Sequence, residues 1–451
     1  MHSYELSRAR SVTPMIDKWS ILPILACVYV SIVAPLISFA SPHRYTLKSM
    51  LESNWENRIF WPVMAASAVG LAILNRSHLG KRPLPPHIIC LLVYLAFAGA
   101  SVLWSFRPEL SFIRFTQQAM ILTTIILPAM LAVRTADTMR SLFLCFAFGS
   151  ILNVLLLHGS QLYINGIPVG YQGYLEGKNA LGQFAAVAVL LALHEMLYSG
   201  LWRALGIIII VIAGILLFLS NSKASIGFAF LAPLLAAFTL MIRKRMGISP
   251  TIVLLIIITL SVYFRDKVSW FLFHDLTFTG RTLIWDFAVD EIRRSPLLGW
   301  GYQSFWLVGL DAPSIVEAPG WVKGMPNAHN GYLDTLLEMG LVGFACLVIF
   351  IMATLHAIGR LADRDPARAW LMLSLAIFII FHNLLESTWM HGGDLLWVVF
   401  AFVAAELGRW WRLYQPIRVT YGSTPSRAAS FGLSGKLGAA LDPHKNPHPD
   451  R

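Results

Sequence analysis

Apolar runs of about 18–22 residues recur along the whole chain, each long enough to cross roughly 30 Å of hydrocarbon as a helix. A backbone inside a bilayer must satisfy its own hydrogen bonds, so runs of this length can only be helical. Twelve stretches qualify: 19–40, 59–75, 87–104, 111–133, 141–159, 180–198, 203–220, 225–242, 250–264, 333–355, 368–385 and 393–411. The composition agrees, with 57% hydrophobic residues, 13% charged and a mean hydropathy of +0.64; a soluble chain carries about 25% charged residues. The expected fold class is an all-α polytopic membrane protein of about 12 transmembrane helices. The expected organisation is an N-terminal segment 1–18, a single transmembrane catalytic domain over 19–411 with a large loop at 265–332, and a tail at 412–451. No soluble catalytic domain is left over, so any chemistry belongs to the bundle and its loops.

Lys and Arg placement sets the expected orientation. With the N-terminus inside, the inner segments collect 22 of the 35 basic residues, as cytoplasmic loops do. Both ends are then cytoplasmic, and the net charge of +11 is a topology signal that gives no reason to expect nucleic acid. Cys27, Cys90, Cys145 and Cys346 all lie in apolar runs, which argues against a disulfide framework. "ILAC" (24–27) imitates a lipoprotein cleavage site, yet the apolar run continues to Ala40, so an uncleaved first span is expected. The stretch from Tyr421, rich in Gly, Ser, Pro and Ala, is expected to be disordered.

Most polar residues outside the inner loops fall on one side of the membrane. The loop 265–332 is too long for a simple connector. Within it, "GRTLIWDFAVDEIRRSPLLGWGYQSF" (280–305) begins as an amphipathic helix, with Leu283, Ile284, Phe287, Ala288 and Ile292 on one stripe. Ser295-Pro296 is expected to end it, and Arg281 at its start would place a guanidinium where helices hold anions. "GYLEGKNALGQ" (173–183) brings Lys178 and Asn179 to the start of a span, and "LSNSKASIG" (219–227) puts Lys223 in a tight turn. "PNAHNGYLDTLLEMG" (326–340) sets His329 between Asn327 and Asn330 at another span's start, and "FHNLLESTWMHGG" (381–393) adds His382, Asn383, Glu386 and His391. Ionisable groups at membrane depth are costly and usually functional. Three cations, Arg281, Lys223 and Lys178, suit a diphosphate, and a mostly neutral histidine can accept a proton. A departing diphosphate held by cations needs neither a general acid nor a metal. The combination reads as glycosyl transfer from a lipid-linked diphosphate donor.

The stretches "GRTLIWDFAVDEIRRSPLLGWGYQSF" and "NAHNGYLDTLLEMGLVG", together with "GKNALGQ", "SNSKAS" and "NLLES", resemble the signature region of the O-antigen ligase and polysaccharide polymerase superfamily. The likeness covers about residues 170–405; the first 150 residues match only as membrane spans. The resemblance implies a GT-C-like helical fold in a bacterial inner membrane, with its site facing the periplasm. It implies an undecaprenyl diphosphate-linked glycan donor and no metal or other cofactor. His329 would activate the acceptor hydroxyl, and Arg281 would bind the diphosphate. The family commonly has Arg where this chain has Lys223, which keeps the charge but loses the bidentate fork. "GKN" and "SKAS" look more like exopolysaccharide polymerases than lipopolysaccharide ligases.

Plainer roles stand beside these. His329 could be a polar helix-start residue, Asn327 and Asn330 could cap the span, and Arg281 could pair with Asp275 or Asp286. Lys223 could snorkel; Glu386 could position the base, bind an acceptor sugar or make a structural hydrogen bond. Asp334 and Glu338 are expected to face inward. Trp285, Trp300, Tyr302, Trp306, Trp321 and Trp389 suit sugar stacking, though an interfacial belt is the favoured role. Asp363-Arg364-Asp365 imitates an acidic transferase motif, but in a short inner loop without a supporting site. The leading expectation is a polysaccharide polymerase that acts on a lipid-linked repeat unit among membrane lipids, with chain-length regulators or export proteins as candidate partners. The alternatives are a ligase that uses lipid A–core as acceptor, and a transporter of lipid-linked sugar without catalysis.

Overall fold

The structure, a computed structural model, describes residues 16–41, 54–78, 82–133, 136–164, 166–264, 267, 270 and 280–414. Each of the twelve apolar stretches contains a helix: α1 (Ile21–Phe39), α2 (Trp55–Leu74), α3 (Pro86–Ala100), α4 (Pro108–Leu131), α5 (Thr138–Leu155), α6 (Lys178–Glu195), α7 (Leu201–Leu219), α8 (Lys223–Met246), α9 (Pro250–Tyr263), α11 (Gly331–Ala362), α12 (Pro366–His382) and α13 (Leu395–Leu413). The amphipathic helix α10 (Arg281–Arg294) lies between α9 and α11. Eight helices among the described residues are long and apolar enough to cross a membrane, and the chain is a polytopic, nearly all-helical membrane protein. The segments 1–15 and 415–451, and with them the expected disordered stretch, lie outside the described residues.

Sequence sets many of the helix ends. Proline starts α3, α4, α9 and α12, where its missing N–H costs nothing. Asp365 and Asp394 cap α12 and α13 by accepting from the backbone of Arg368 (3.0 Å) and Leu396 (2.9 Å). Asp365 is thereby a helix cap, and Asp363 pairs with Arg243 at 2.8 Å, so the Asp363-Arg364-Asp365 motif is structural as expected. α8 ends on Gly247 at φ 71° behind Arg243, Lys244 and Arg245, which suit the negative end of its dipole.

One exception to the all-α expectation is an antiparallel hairpin of β1 (Gln161–Ile164) and β2 (Ile167–Tyr171) between α5 and α6. Its residues alternate too briefly to announce strands, and the pair is made stable by what packs on it.

α6, α12 and α13 form the interior, and nearly every residue of α13 from Leu396 to Leu407 is buried. α6 packs on α5, α7, α8 and α12, α11 on α3, α10, α12 and α13, and α4 on α2 and α13. Outer helices present apolar side chains instead, as α7 does with Ile207, Ile208, Val211, Ile215 and Phe218. At one end of the bundle, buried ion pairs join the helices: Arg140–Glu195 at 3.0 Å, Arg368–Asp137 at 3.5 Å and Arg409–Asp17 at 3.5 Å. These arginines are among the basic residues from which the expected orientation was read, and here they join helices.

At the other end, α10 ends at Arg294 as the following Ser-Pro requires, and docks on α11 through Ile284, Phe287 and Ala288; Leu283 is exposed. α11 is kinked at Gly340 (φ 60°, ψ −165°), where residues 296–301 replace its broken ladder. Leu341 donates to Pro296 (2.9 Å), Trp300 to Leu337 (2.9 Å) and Gly301 to Glu338 (2.8 Å). A Cβ on Gly340 would lie 2.3 Å from the Leu297 carbonyl. Gly340→Ala is therefore expected to lower the thermal midpoint of the detergent-solubilised protein, since left-handed strain costs about 1–3 kcal/mol before the clash is counted. An unchanged midpoint would show that the kink is not structural.

Candidate active site

The loop that carries His329 is fixed from several sides. Asn330 caps α11, its side-chain oxygen accepting from Tyr332 (3.1 Å) and Leu333 (3.2 Å). One turn on, buried Asp334 reaches back, and both its oxygens accept from the Ala328 amide at 3.1 Å while Oδ1 accepts from Trp306 Nε1 at 2.7 Å. Trp285 Nε1 donates to the Ala328 carbonyl (3.0 Å), and Asn327 Oδ1 accepts from the His329 amide (2.9 Å). Together these hold His329 at φ 49°, a left-handed conformation costly for a residue with a Cβ.

The turn after α12 supplies the centre of the site. Glu386 Oε2 lies 3.0 Å from His329 Nδ1, and Oε1 accepts from Arg281 Nη2 (2.7 Å) and Asn179 Nδ2 (2.8 Å). Arg281 Nη1 also donates to the Leu385 carbonyl, which ties the guanidinium to this turn. The Gly331 amide donates to the carbonyls of Asn383 (2.9 Å) and Glu386 (3.0 Å), and Asn330 donates to Ser387 Oγ (2.9 Å). That approach needs glycine, because a Cβ at 331 would sit 2.2 Å from Asn383 Oδ1. Burial alone would raise the Glu386 carboxyl. The His329 hydrogen bond and the charges of Arg281, His329 and His382 outweigh it and bring the carboxyl down to about 2. Glu386 is therefore an anion, and an anion only accepts. Nδ1 must carry the proton in that contact, which leaves the lone pair of a neutral imidazole on Nε2. His329 keeps 27% of its side-chain surface exposed, against 12% for Glu386.

The two lysines stand at the same end of the bundle. Lys178 precedes Asn179, and its Nζ lies 3.4 Å from the Val169 carbonyl on β2. Asn221 Nδ2, in the turn before α8, donates to the same carbonyl at 3.2 Å. Lys223 opens α8 two residues later and is exposed. Its turn is joined to α12 through Ser225 Oγ, 3.2 Å from His382 Nε2.

The sequence-derived set thus divides by role. Glu386 directly contacts His329, Arg281 and Asn179, Lys178 reaches the Val169 carbonyl of the hairpin, Lys223 opens α8, and Asn327 and Asn330 shape the histidine loop. Arg281 pairs with Glu386, while Asp275, one of its two alternative partners, lies outside the described residues. The belt reading of the aromatics fails for Tyr302, Trp306 and Trp389, which are 0%, 5% and 3% exposed; only Trp321, at 52%, is widely open. Asp334 and Glu338 face inward as expected.

Residues 208–348, which include Lys223, Arg281 and His329, match the O-antigen ligase family. The exopolysaccharide production protein ExoQ of Rhizobium meliloti (strain 1021) is 25% identical over 297 residues, 61% of this chain and 67% of that protein. A Rickettsia felis protein provisionally named polysaccharide ligase is 25% identical over 140 residues, 30% of this chain and 34% of its own length. A Rickettsia conorii protein with the same provisional name is 25% identical over 128 residues, 26% and 30% of the two chains.

The depressed Glu386 carboxyl has a stability consequence. A carboxylate whose folded value lies near 2, below its ordinary 4.5, stabilises the fold above about pH 4.5 and loses that contribution as pH falls toward 2. Thermal midpoints of wild type and Glu386→Gln should differ most near pH 7 and converge toward pH 3. A gap independent of pH would contradict the assignment.

Proposed function

We propose that this chain, which resembles the O-antigen ligase and polysaccharide polymerase superfamily and carries its ligase domain, is a polysaccharide polymerase that transfers a glycan from a polyprenyl diphosphate donor to a lipid-linked repeat unit. The observation that carries the reading is the contact of His329 Nδ1 with Glu386 Oε2 at 3.0 Å, on a carboxylate that also holds Arg281. With Nδ1 committed as a donor, Nε2 takes the proton of the acceptor hydroxyl. That oxygen then bonds to the donor's anomeric carbon, and the bond to the diphosphate oxygen breaks with its electron pair. Base assistance of this kind contributes about 10²–10⁴ in rate.

The leaving diphosphate is the ligand for the cations. Arg281 has donors beyond the two engaged by Glu386 and Leu385, and Lys178 and Lys223 add charge from the neighbouring helix starts. Oriented cations favour the charge that develops in the transition state over the charge of the ground state. The proposed site faces the periplasm of a bacterial inner membrane, as the Lys and Arg distribution indicates, and the reaction needs no metal. The polymerase reading draws on the length of the ExoQ match, which spans twice the fraction of this chain matched in the Rickettsia felis protein. Transfer to lipid A–core would use the same donor chemistry.

In a null strain, His329→Ala that reaches the membrane is expected to abolish long polymer while single lipid-linked repeat units accumulate, read by size-resolved glycan analysis. Long lipid-linked polymer that never reaches lipid A–core would instead mark a ligase. Normal exported glycan without the histidine would overturn the mechanism. In a reconstituted assay Glu386→Gln is expected to lower turnover by up to about 10⁴-fold, as amide replacement of the carboxylate that fixes a catalytic histidine's tautomer does.

A further inference from the structure

A second polar cavity of about 270 Å³ adjoins the histidine loop, lined by Arg114, Gln303, Trp306, Pro326, Glu338 and His391. It takes no part in the mechanism derived above. Its Pro326 edge is three residues from His329, and three residues of chain reach at most about 11 Å. Glu338 is one helical turn beyond Asp334 on the same face of α11. Asp334 joins cavity wall to catalytic loop, since it holds both Trp306 Nε1 and the Ala328 amide. The opposite wall is preformed as well: Gln303 Nε2 donates to the Tyr302 hydroxyl (3.0 Å) and to the Met390 carbonyl (2.8 Å), and Arg114 donates to the Gln303 carbonyl.

The lining has the chemistry of a sugar site. Sugar hydroxyls donate and accept at once, and the cavity offers a guanidinium, a carboxylate, an amide and an imidazole around an indole. His391 Nε2 lies 3.9 Å from Glu338 Oε1. Burial, with the Arg114 charge beside it, pulls the His391 imidazole down to about 4, so it sits neutral between them. The volume is at the small end of ligand sites, which begin at about 300 Å³, and fits a single ring rather than a chain.

The cavity and the two lysines are built from different helices. Arg114 comes from α4, which packs on α2 and α13, whereas Lys178 and Lys223 come from α6 and α8, which pack on each other and on α12. A displacement at the anomeric carbon needs its nucleophile on the far side from the leaving group. We propose that the Arg114–Glu338–His391 cavity is the acceptor subsite, binding the terminal sugar of the incoming repeat unit so that its hydroxyl meets His329. This inference rests on the polymerase reading above.

The test uses an acceptor that cannot donate: the producing strain's repeat-unit oligosaccharide, freed from its lipid and reduced at its reducing end. Full-length protein in liposomes is assayed with a lipid-linked repeat unit whose acceptor hydroxyl is blocked by methylation, so that it can only donate. Glu338→Gln and, independently, His391→Asn are expected to raise the KM for the reduced acceptor at least tenfold and leave the KM for the donor within twofold. Thermal midpoints identify any variant that is misfolded, and the other then decides. Unchanged acceptor KM in a folded variant would overturn the subsite, as would a parallel rise in both KM values. Absence of transfer by the wild type would instead count against the polymerase reading itself.

Discussion

Everything at the site depends on one buried carboxylate. Glu386 gathers donors from three distant parts of the chain, Asn179, Arg281 and His329, onto two oxygens. An anion this enclosed would be costly if unpaired; with three donors it becomes the point on which α6, α10 and the start of α11 converge. The same contacts that stabilise the charge fix the imidazole tautomer. Stability and reactivity therefore rest on the same hydrogen bonds, and a substitution at Glu386 disturbs both.

The histidine loop is held with comparable redundancy. Asp334 secures Ala328 from within α11, Asn327 secures the His329 amide, and the Gly331 amide is clasped by the turn that carries Glu386. The kink at Gly340 lets residues 296–301 enter α11 and brings Trp300, Tyr302 and Trp306 inside the fold. Far from this, at the opposite ends of α5, α6, α12 and α13, buried arginine–carboxylate pairs fasten the bundle. Buried ion pairs add little net stability but punish the loss of either partner, so they suit fixing which helices are neighbours.

Much of this was legible in the sequence, for identifiable reasons. Hydrocarbon allows only long apolar helices, and each of the twelve apolar stretches contains a helix. All but Gly331–Ala362 lie within four residues of the expected limits, and eight helices among the described residues are long and apolar enough to span. Proline at 296 ended α10 where it should. Polar residues at the ends of spans singled out His329, Arg281, Asn179 and Glu386, but their pairing spans up to 207 residues and leaves no local trace. Arg281 therefore reads as a diphosphate ligand, with Asp275 or Asp286 as its plainer partner, and the contact with Glu386 is not foreseen. The hairpin escaped notice because its strands are short, and the Gly340 kink because no proline marks it. Arg114 was a missed signal: a lone arginine within an apolar helix is expensive, and it lines the cavity beside the histidine loop.

The central claim is that Glu386 commits His329 Nδ1 to donation and so leaves Nε2 as the base. The most direct measurement is ¹⁵N NMR of the histidine-labelled protein in lipid at alkaline pH. Difference spectra against His329→Gln pick out one imidazole among the thirteen histidines. The account predicts a neutral ring with its proton on Nδ1. A ring protonated on Nε2 would contradict it, because the nitrogen facing solvent would then be unable to accept a proton.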